Sequence, residues 1–278
     1  MSWLAIAKKD FRDALRSRTI WAISAAFILL SVVIAYIYGS FSADQLGAEE
    51  ITANGLAFFL ASNITLFVSL TALVIAYKSV AGERESGSLK ILLSLPHTRR
   101  DVLVGKIVGR ASVLAIPVVI ALAIGGAVGS ALIGDVAVQA LVALLAVSLF
   151  FTFAYVSVIV GLSAMTGSTT RASMLTIGFF VLFEFLWGIV SIGLVFVTNG
   201  FSLPQNAAAY PDWIFVVNQV PPSGAYTTLL NALVPGRSGS AAGIDAFYGT
   251  PWIGAVVLLF WLIVPAAIGY WRFSKADL

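Results

Sequence analysis

The chain has no cysteine, and His97 is its one histidine. A disulfide framework, a thiol nucleophile and a cysteine-ligated metal site are therefore excluded, and no pair of histidines can hold an ion. Charge is also scarce. Asp, Glu, Lys and Arg make up 10% of the 278 residues, where a soluble domain has about 25%. Hydrophobic residues reach 60%, and mean hydropathy is +0.99. These values exclude a soluble globular enzyme, a disordered chain and a nucleic-acid binder. Catalytic motifs are missing as well. A phosphate-binding loop needs G-x-x-x-x-G-K-[ST], so that backbone amides cradle phosphate and the hydroxyl holds magnesium. Gly105-Lys106 is followed by Ile107, and position 100 is Arg. There is no H-E-x-x-H and no G-x-S-x-G, which removes metalloprotease and serine-hydrolase chemistry. The expectation is a non-catalytic chain that holds no cofactor or metal of its own.

Long uncharged runs stand in place of those features. Ile20 to Phe41, Ile51 to Tyr77, Ala111 to Gly134 and Val136 to Gly167 carry no charge, Glu184 alone interrupts Ala172 to Phe201, and Ala246 to Trp271 closes the series. A spanning helix takes about 20 apolar residues, and lipid forces the backbone to satisfy itself internally. The expected fold is an all-α membrane protein with six transmembrane helices, at 20–41, 55–77, 111–134, 137–165, 172–198 and 251–271. Residues 1–278 are expected to form a single transmembrane domain.

Residues 1–18 predict an amphipathic interfacial helix. Trp3, Ala7, Phe11, Ala14 and Leu15 share a stripe, with Lys8, Lys9, Arg12 and Arg16 away from it. Lys and Arg also set the orientation. Fifteen of the 16 fall in the N-terminal segment, the 78–110 loop, the connection at Arg171 and the tail. The other side holds Arg237 beside Asp44, Glu49, Glu50, Asp135, Asp212 and Asp245. The positive-inside rule then places both termini in the cytoplasm.

The loop at 78–110 reads KSVAGERESGSLKILLSLPHTRRDVLVGKIVGR. Its leucine-rich stretch through Leu95 predicts a short helix ended by Pro96. Thr98 and Asp101 have capping-box spacing, so a second helix starts near Arg99. This charged and leucine-rich hairpin suits either docking on a soluble partner or a solvated hairpin that binds nothing. Arg99 and Arg100 are expected at lipid headgroups.

Gly82, Glu83, Arg84, Gly87, Ser88, Leu89, Leu92, Leu93, Pro96, Arg99, Gly105 and Lys106 resemble the loop between spans 2 and 3 of type-2 ABC exporter permeases. The likeness is strongest to the branch that includes the permease of the nitrous-oxide-reductase maturation transporter, whose ending resembles GYWRFSKADL. The resemblance covers essentially the whole chain. It implies an amphipathic helix, six spans with both ends inside, and a coupling helix that docks in a cleft of a separate ATPase subunit. Carried over residue by residue, the docking set is Gly82, Glu83, Arg84, Glu85, Gly87, Ser88, Leu89 and Leu92. The acidic and basic residues would make polar contacts, Leu89 and Leu92 would fill the cleft, and Gly87 would permit close approach. ATP and Mg would belong to two copies of that ATPase subunit. A second permease chain, in a homodimer, would complete an exporter in the cytoplasmic membrane of a prokaryote.

Glu184 lies mid-span, where a carboxylate costs about 3 kcal/mol. It is a candidate for the translocation path, or else a hydrogen-bonded tie between helices. Arg171 is too distant to pair with it. Gly125 and Gly129 have small-xxx-small spacing for helix packing. The external 199–250 segment is broken by prolines. Trp213–Val217 is expected at the interface or re-entering, and Ser223 could cap a short helix. The segment is either an external lid or partner site, or a structural cap. Two other functions stay open: an ion-coupled secondary transporter using Glu184, and a membrane anchor without transport.

Overall fold

A computed structural model describes residues 3–41, 45, 50–94, 97–204, 206, 210–234, 250 and 252–276. Several expectations lie outside them: the stop at Leu95 and Pro96, the external charges Asp44, Glu49, Arg237 and Asp245, and Pro251 at the last span's start. All regular structure among the described residues is helical. Six helices are long and apolar enough to cross a membrane.

Helix α1 (Trp3–Leu15) precedes span 1, α2 (Arg18–Ser40), and span 2, α3 (Ala53–Ala76). Two short helices follow, α4 (Ala81–Glu85) and α5 (Ser88–Ser94). Spans 3 and 4 are α6 (Arg99–Ile133) and α7 (Val138–Ala164). Span 5 is composite: α8 (Thr169–Phe180), a π-helical turn (Val181–Leu186) and α9 (Trp187–Thr198). Helices α10 (Trp213–Gln219) and α11 (Pro222–Leu233) lead to span 6, α12 (Ile253–Ser274).

Spans 3 and 4 form the middle of the bundle. Span 3 packs on α1, span 1, span 2 and span 4, and span 4 packs on spans 2, 3 and 6. Two-thirds of span 4 (67%) is buried, against 17% of span 5 and 22% of span 6. Glycine sets the closest approaches. A Cβ on Gly161 of span 4 would lie 2.5 Å from the Pro265 carbonyl oxygen, so span 6 rests directly on that backbone. Gly125 faces Ser31 of span 1, and a Cβ on Gly129 would lie 2.6 Å from Leu56 of span 2.

Helix α1 seats on its own chain. A Cβ on Gly105 would lie 2.7 Å from Ile6 Cβ, and one on Gly109 2.9 Å from Asp10 Cβ. Gly105 and Gly109 form a groove one turn apart, in which Ile6, Ala7 and Asp10 are buried. Lys8, Lys9, Arg12 and Arg16 stay exposed. At the opposite end of the bundle, α11 descends among the spans. Its Tyr226, Leu229 and Leu230 are buried, and the Tyr226 and Ser148 hydroxyls are 2.9 Å apart.

Candidate functional site

The segment after span 2 starts from a backbone break. Span 2 ends at Ala76, and α4 begins at Ala81. Helix ends leave unpaired amides and carbonyls. Ser163, at the end of span 4, satisfies three of these groups with one hydroxyl. Its Oγ accepts from the amides of Val80 (3.2 Å) and Ala81 (3.1 Å) and donates to the Tyr77 carbonyl (2.7 Å). Gly87 separates α4 from α5 with φ +76°. A Cβ there would meet nothing within 4 Å. The glycine supplies the left-handed backbone that this turn needs, and the space beside it is open on this chain. The Thr98 capping box forms. Thr98 Oγ1 accepts from the Asp101 amide at 3.1 Å, and Asp101 Oδ2 accepts from the Thr98 amide at 3.1 Å. Asp101 Oδ1 also accepts from the Trp3 amide at 3.2 Å, capping the start of α1.

Four charges meet beneath the segment. Lys106 Nζ lies 3.1 Å from Asp10 Oδ1 and pairs with Glu83 Oε1. Arg110 Nε lies 3.1 Å from Asp10 Oδ2, and its Nη1 donates to the Ile75 carbonyl at 3.1 Å. The two carboxylates balance the two cations. Lys106 is 5% exposed and Asp10 9%, so the charges are stable there only because each has a partner. The cluster joins α1, α4 and span 3.

Two further ties reach spans 5 and 6. Glu85 Oε2 accepts from the Thr169 amide at 2.7 Å, supplying a cap to the first turn of span 5. Arg99 corrects the lipid-headgroup expectation. Its guanidinium donates to the carbonyls of Phe273, Ser274 (3.1 Å) and Ala276 (2.8 Å) and lies 5.5 Å from the centre of the Phe273 ring. The free carbonyls at a helix C-terminus attract a cation, and Arg99 meets them there. Arg100 is exposed.

The sequence-derived docking residues are thus divided. Gly82 and Arg84 are half-buried, and the Arg84 guanidinium lies over Gly167. Ser88 is exposed, with its Oγ 3.4 Å from the Glu83 carbonyl. Glu83 turns inward to Lys106. Leu89 has no exposed surface, and Leu92 packs partly against the core, so Leu89 braces the segment from within and has no face to offer a partner in this conformation. The outward surface is Glu85, Ser86, Ser88, Lys90 and Ile91, and Ile91 is 72% exposed. Asp10 and Ser163 were not legible as members of this site.

The second site surrounds Glu184 in the π-helical turn. π-Turns often occur where a helix is adapted to function. Ser69 of span 2 donates to Glu184 Oε1 at 3.0 Å, and Tyr155 of span 4 and Ser223 of α11 also face the carboxyl. Ser223 makes no cap. Helix α11 starts at Pro222, whose fixed φ suits a first helical position, and this leaves Ser223 free to meet Glu184. Phe179, Phe183, Trp187 and Trp261 pack as an aromatic cluster alongside. Glu184 thus ties span 5 to span 2 by a hydrogen bond and lies against span 4 and α11. Among the described residues no group of three or more His, Cys, Asp or Glu could hold a metal.

Known proteins share this arrangement's sequence along nearly its whole length. A family model described as ABC-2 family transporter protein matches residues 4–278. A Stutzerimonas stutzeri protein named "Probable ABC transporter permease protein NosY" is 32% identical over 273 residues, covering 95% of this chain and 92% of that protein. A Pseudomonas aeruginosa protein of the same name is 29% identical over 242 residues, covering 86% and 83%. With six spanning helices, an ordered segment after span 2 and this end-to-end match, the chain belongs to the ABC-2 transporter family as a membrane-embedded permease.

Proposed function

We propose that this chain is the membrane half of an ATP-driven exporter, and that residues 81–94 receive the stroke from a separate ATP-binding subunit. The carrying observation is mechanical. One short segment is tied to span 3 and α1 by Lys106, to span 4 by Ser163, and to span 5 by Glu85. A push on α4 and α5 is therefore shared at once among three spans. The partner would hold ATP and Mg, and two copies would act on a pair of permease chains. The poorly covered faces of spans 5 and 6 support pairing with a second copy. Both termini and the coupling segment would lie in the cytoplasm, where the exposed basic face of α1 meets anionic headgroups. Glu184 would sit on the moving parts as a hydrogen-bonded latch between spans 2 and 5.

The test is purification of the full chain from its host in mild detergent, with mass spectrometry of what accompanies it. An ATP-binding-cassette subunit should co-purify. Ile91→Asp with Lys90→Glu should weaken the complex by roughly tenfold or more, the effect of losing about 1.4 kcal/mol at an interface. A chain that emerges intact and alone would overturn the coupling reading and point to ion-driven transport at Glu184. A complex indifferent to the double variant would move the docking surface elsewhere.

A further inference from the structure

One buried hydroxyl beside Glu184 is left unpaired. Tyr155 has no exposed surface, and its Oη has no hydrogen-bond partner among the described residues. It faces both Ser69 and Glu184 and completes a hydrogen bond to neither. A buried hydroxyl in that condition is costly, and at mid-span no bulk water supplies a partner.

Charge is unbalanced at the same place. Glu184 stands at the middle of the 30-residue span 5. The groups against its carboxyl are hydroxyls: Ser69 from span 2, Tyr155 from span 4 and Ser223 from α11. Among the described residues no Lys, Arg or His pairs with it; the ion pairs gather instead around Asp10 and Lys106. A lone carboxylate at that depth is costly until an opposite charge joins it.

We propose that Glu184, Ser69, Tyr155 and Ser223 bind one dehydrated sodium ion. The donor set selects the class. One carboxylate and three hydroxyls are hard oxygen ligands, which suit alkali and alkaline-earth ions rather than soft metals. Charge selects the valence. A single positive charge neutralises the site, whereas a divalent ion would leave a buried excess. Spacing selects a small ion, because Ser69 Oγ and Glu184 Oε1 stand only 3.0 Å apart. The walls exclude an organic ammonium. Ser69 and Tyr155 are fully buried, and the Tyr155 ring packs 5.5 Å from Phe151 and 5.8 Å from Phe179. Ser69 offers its lone pairs to the ion by turning its hydrogen to the Thr65 carbonyl one helical turn back. Spans 2, 4 and 5 and α11 then meet at one ion, and parting of spans 2 and 5 releases it. This holds whether ATP or a gradient energises the chain.

The test uses the full chain alone in nanodiscs, so its outcome is independent of any ATP-binding subunit. Thermal unfolding is followed in choline chloride, with NaCl or KCl replacing it at constant ionic strength. Sodium should raise Tm saturably, by about 5–11 °C at about a hundredfold excess over Kd, and potassium should give a smaller shift at the same concentration. Scintillation binding of radioactive sodium should saturate at a single ion for each chain. Glu184→Gln should melt with the native chain in choline and lose the sodium response. Tyr155→Phe removes one oxygen and keeps the packing, and should raise the sodium Kd roughly fivefold. Equal responses to the three salts would overturn the proposal. So would a Glu184→Gln chain that responds as the native one does, or a Tyr155→Phe chain with unchanged sodium affinity.

Discussion

Lys106→Met tests the ionic cluster that joins helix α4 to the bundle. Methionine keeps most of the side-chain volume and removes the charge, leaving Asp10 and Glu83 with one fewer cation. At an effective dielectric of ~20, each carboxylate–ammonium contact near 3 Å is worth roughly 5 kcal/mol of attraction. Desolvation offsets much of that, and breaking a buried pair costs about 3–5 kcal/mol net. Two features favour the low end. Asp10 keeps Arg110 at 3.1 Å, and the Glu83 side chain is 28% exposed and can rehydrate. The expected loss is about 3 kcal/mol. For a chain of this size each kcal/mol moves Tm by ~2–4 °C, so thermal unfolding in detergent should shift down by about 6–12 °C. The cluster is neutral as a set, so Lys106→Met with Glu83→Gln, which leaves Asp10 paired with Arg110, should recover at least half of that loss. A Lys106→Met shift under about 2 °C, or a double variant no better than the single one, would refute the view that a buried, mutually neutralised cluster holds α4 to span 3.

Gly109→Leu should unseat α1 without breaking the spans, because a Cβ there already lies 2.9 Å from Asp10 Cβ. Faster tryptic cleavage at Lys8 and Lys9, with the rest of the chain intact, is the expected reading. Ser163→Ala leaves the Val80 and Ala81 amides unpaired and should cost about 1–3 kcal/mol in unfolding experiments. Glu184→Gln keeps an acceptor oxygen for Ser69 and should leave Tm nearly unchanged. Glu184→Leu strands the Ser69 hydroxyl and should lower stability by about 1–3 kcal/mol. Equal effects from the two would show that the hydrogen bonds at Glu184 carry no weight.

The spans were legible because lipid leaves few alternatives: an uncharged run of this length can only be a helix, and its ends follow from charge and turn residues. The capping box at Thr98 was legible for the same reason, as a local rule with a local answer. The short helical segment after span 2 was legible in position. The inward orientation of Glu83 and Leu89 was not, because helices of five and seven residues give no usable periodicity and Lys106, the partner of Glu83, lies 23 residues away in sequence. Asp10 was hidden differently. It stands among Lys8, Lys9 and Arg12 and looks like one charge of a solvated basic face, and only the Gly105–Gly109 groove shows that it points inward. Ser163 had no signal at all, because one serine in an apolar span is ordinary until a broken backbone lies against it.

The distribution of the ties carries the mechanical argument further. Among the described residues, polar contacts act on spans 2 and 5 at two levels, apart from the Ser157 bond to the Leu262 carbonyl between spans 4 and 6. At the loop end, Ser163, Lys106, Glu85 and Arg99 bind α4, α5 and their flanks to spans 3, 4, 5 and 6. At mid-depth, Ser69 and Glu184 join spans 2 and 5 again. Spans 2 and 5 are therefore linked twice, once through Glu85 at the end of α4 and once through Glu184, while the interface between spans 4 and 6 is closed by glycine against backbone. A displaced α4 would draw span 5 at its first turn while Glu184 holds it at its middle. The π-turn at Val181–Leu186, whose wider coil departs from the α-helical ladder, contains Glu184 itself and separates the first-turn tie at Thr169 from the outer half of the span. Bending is expected there first. It would release the Ser69–Glu184 contact before it disturbed the tightly packed pair of spans 4 and 6.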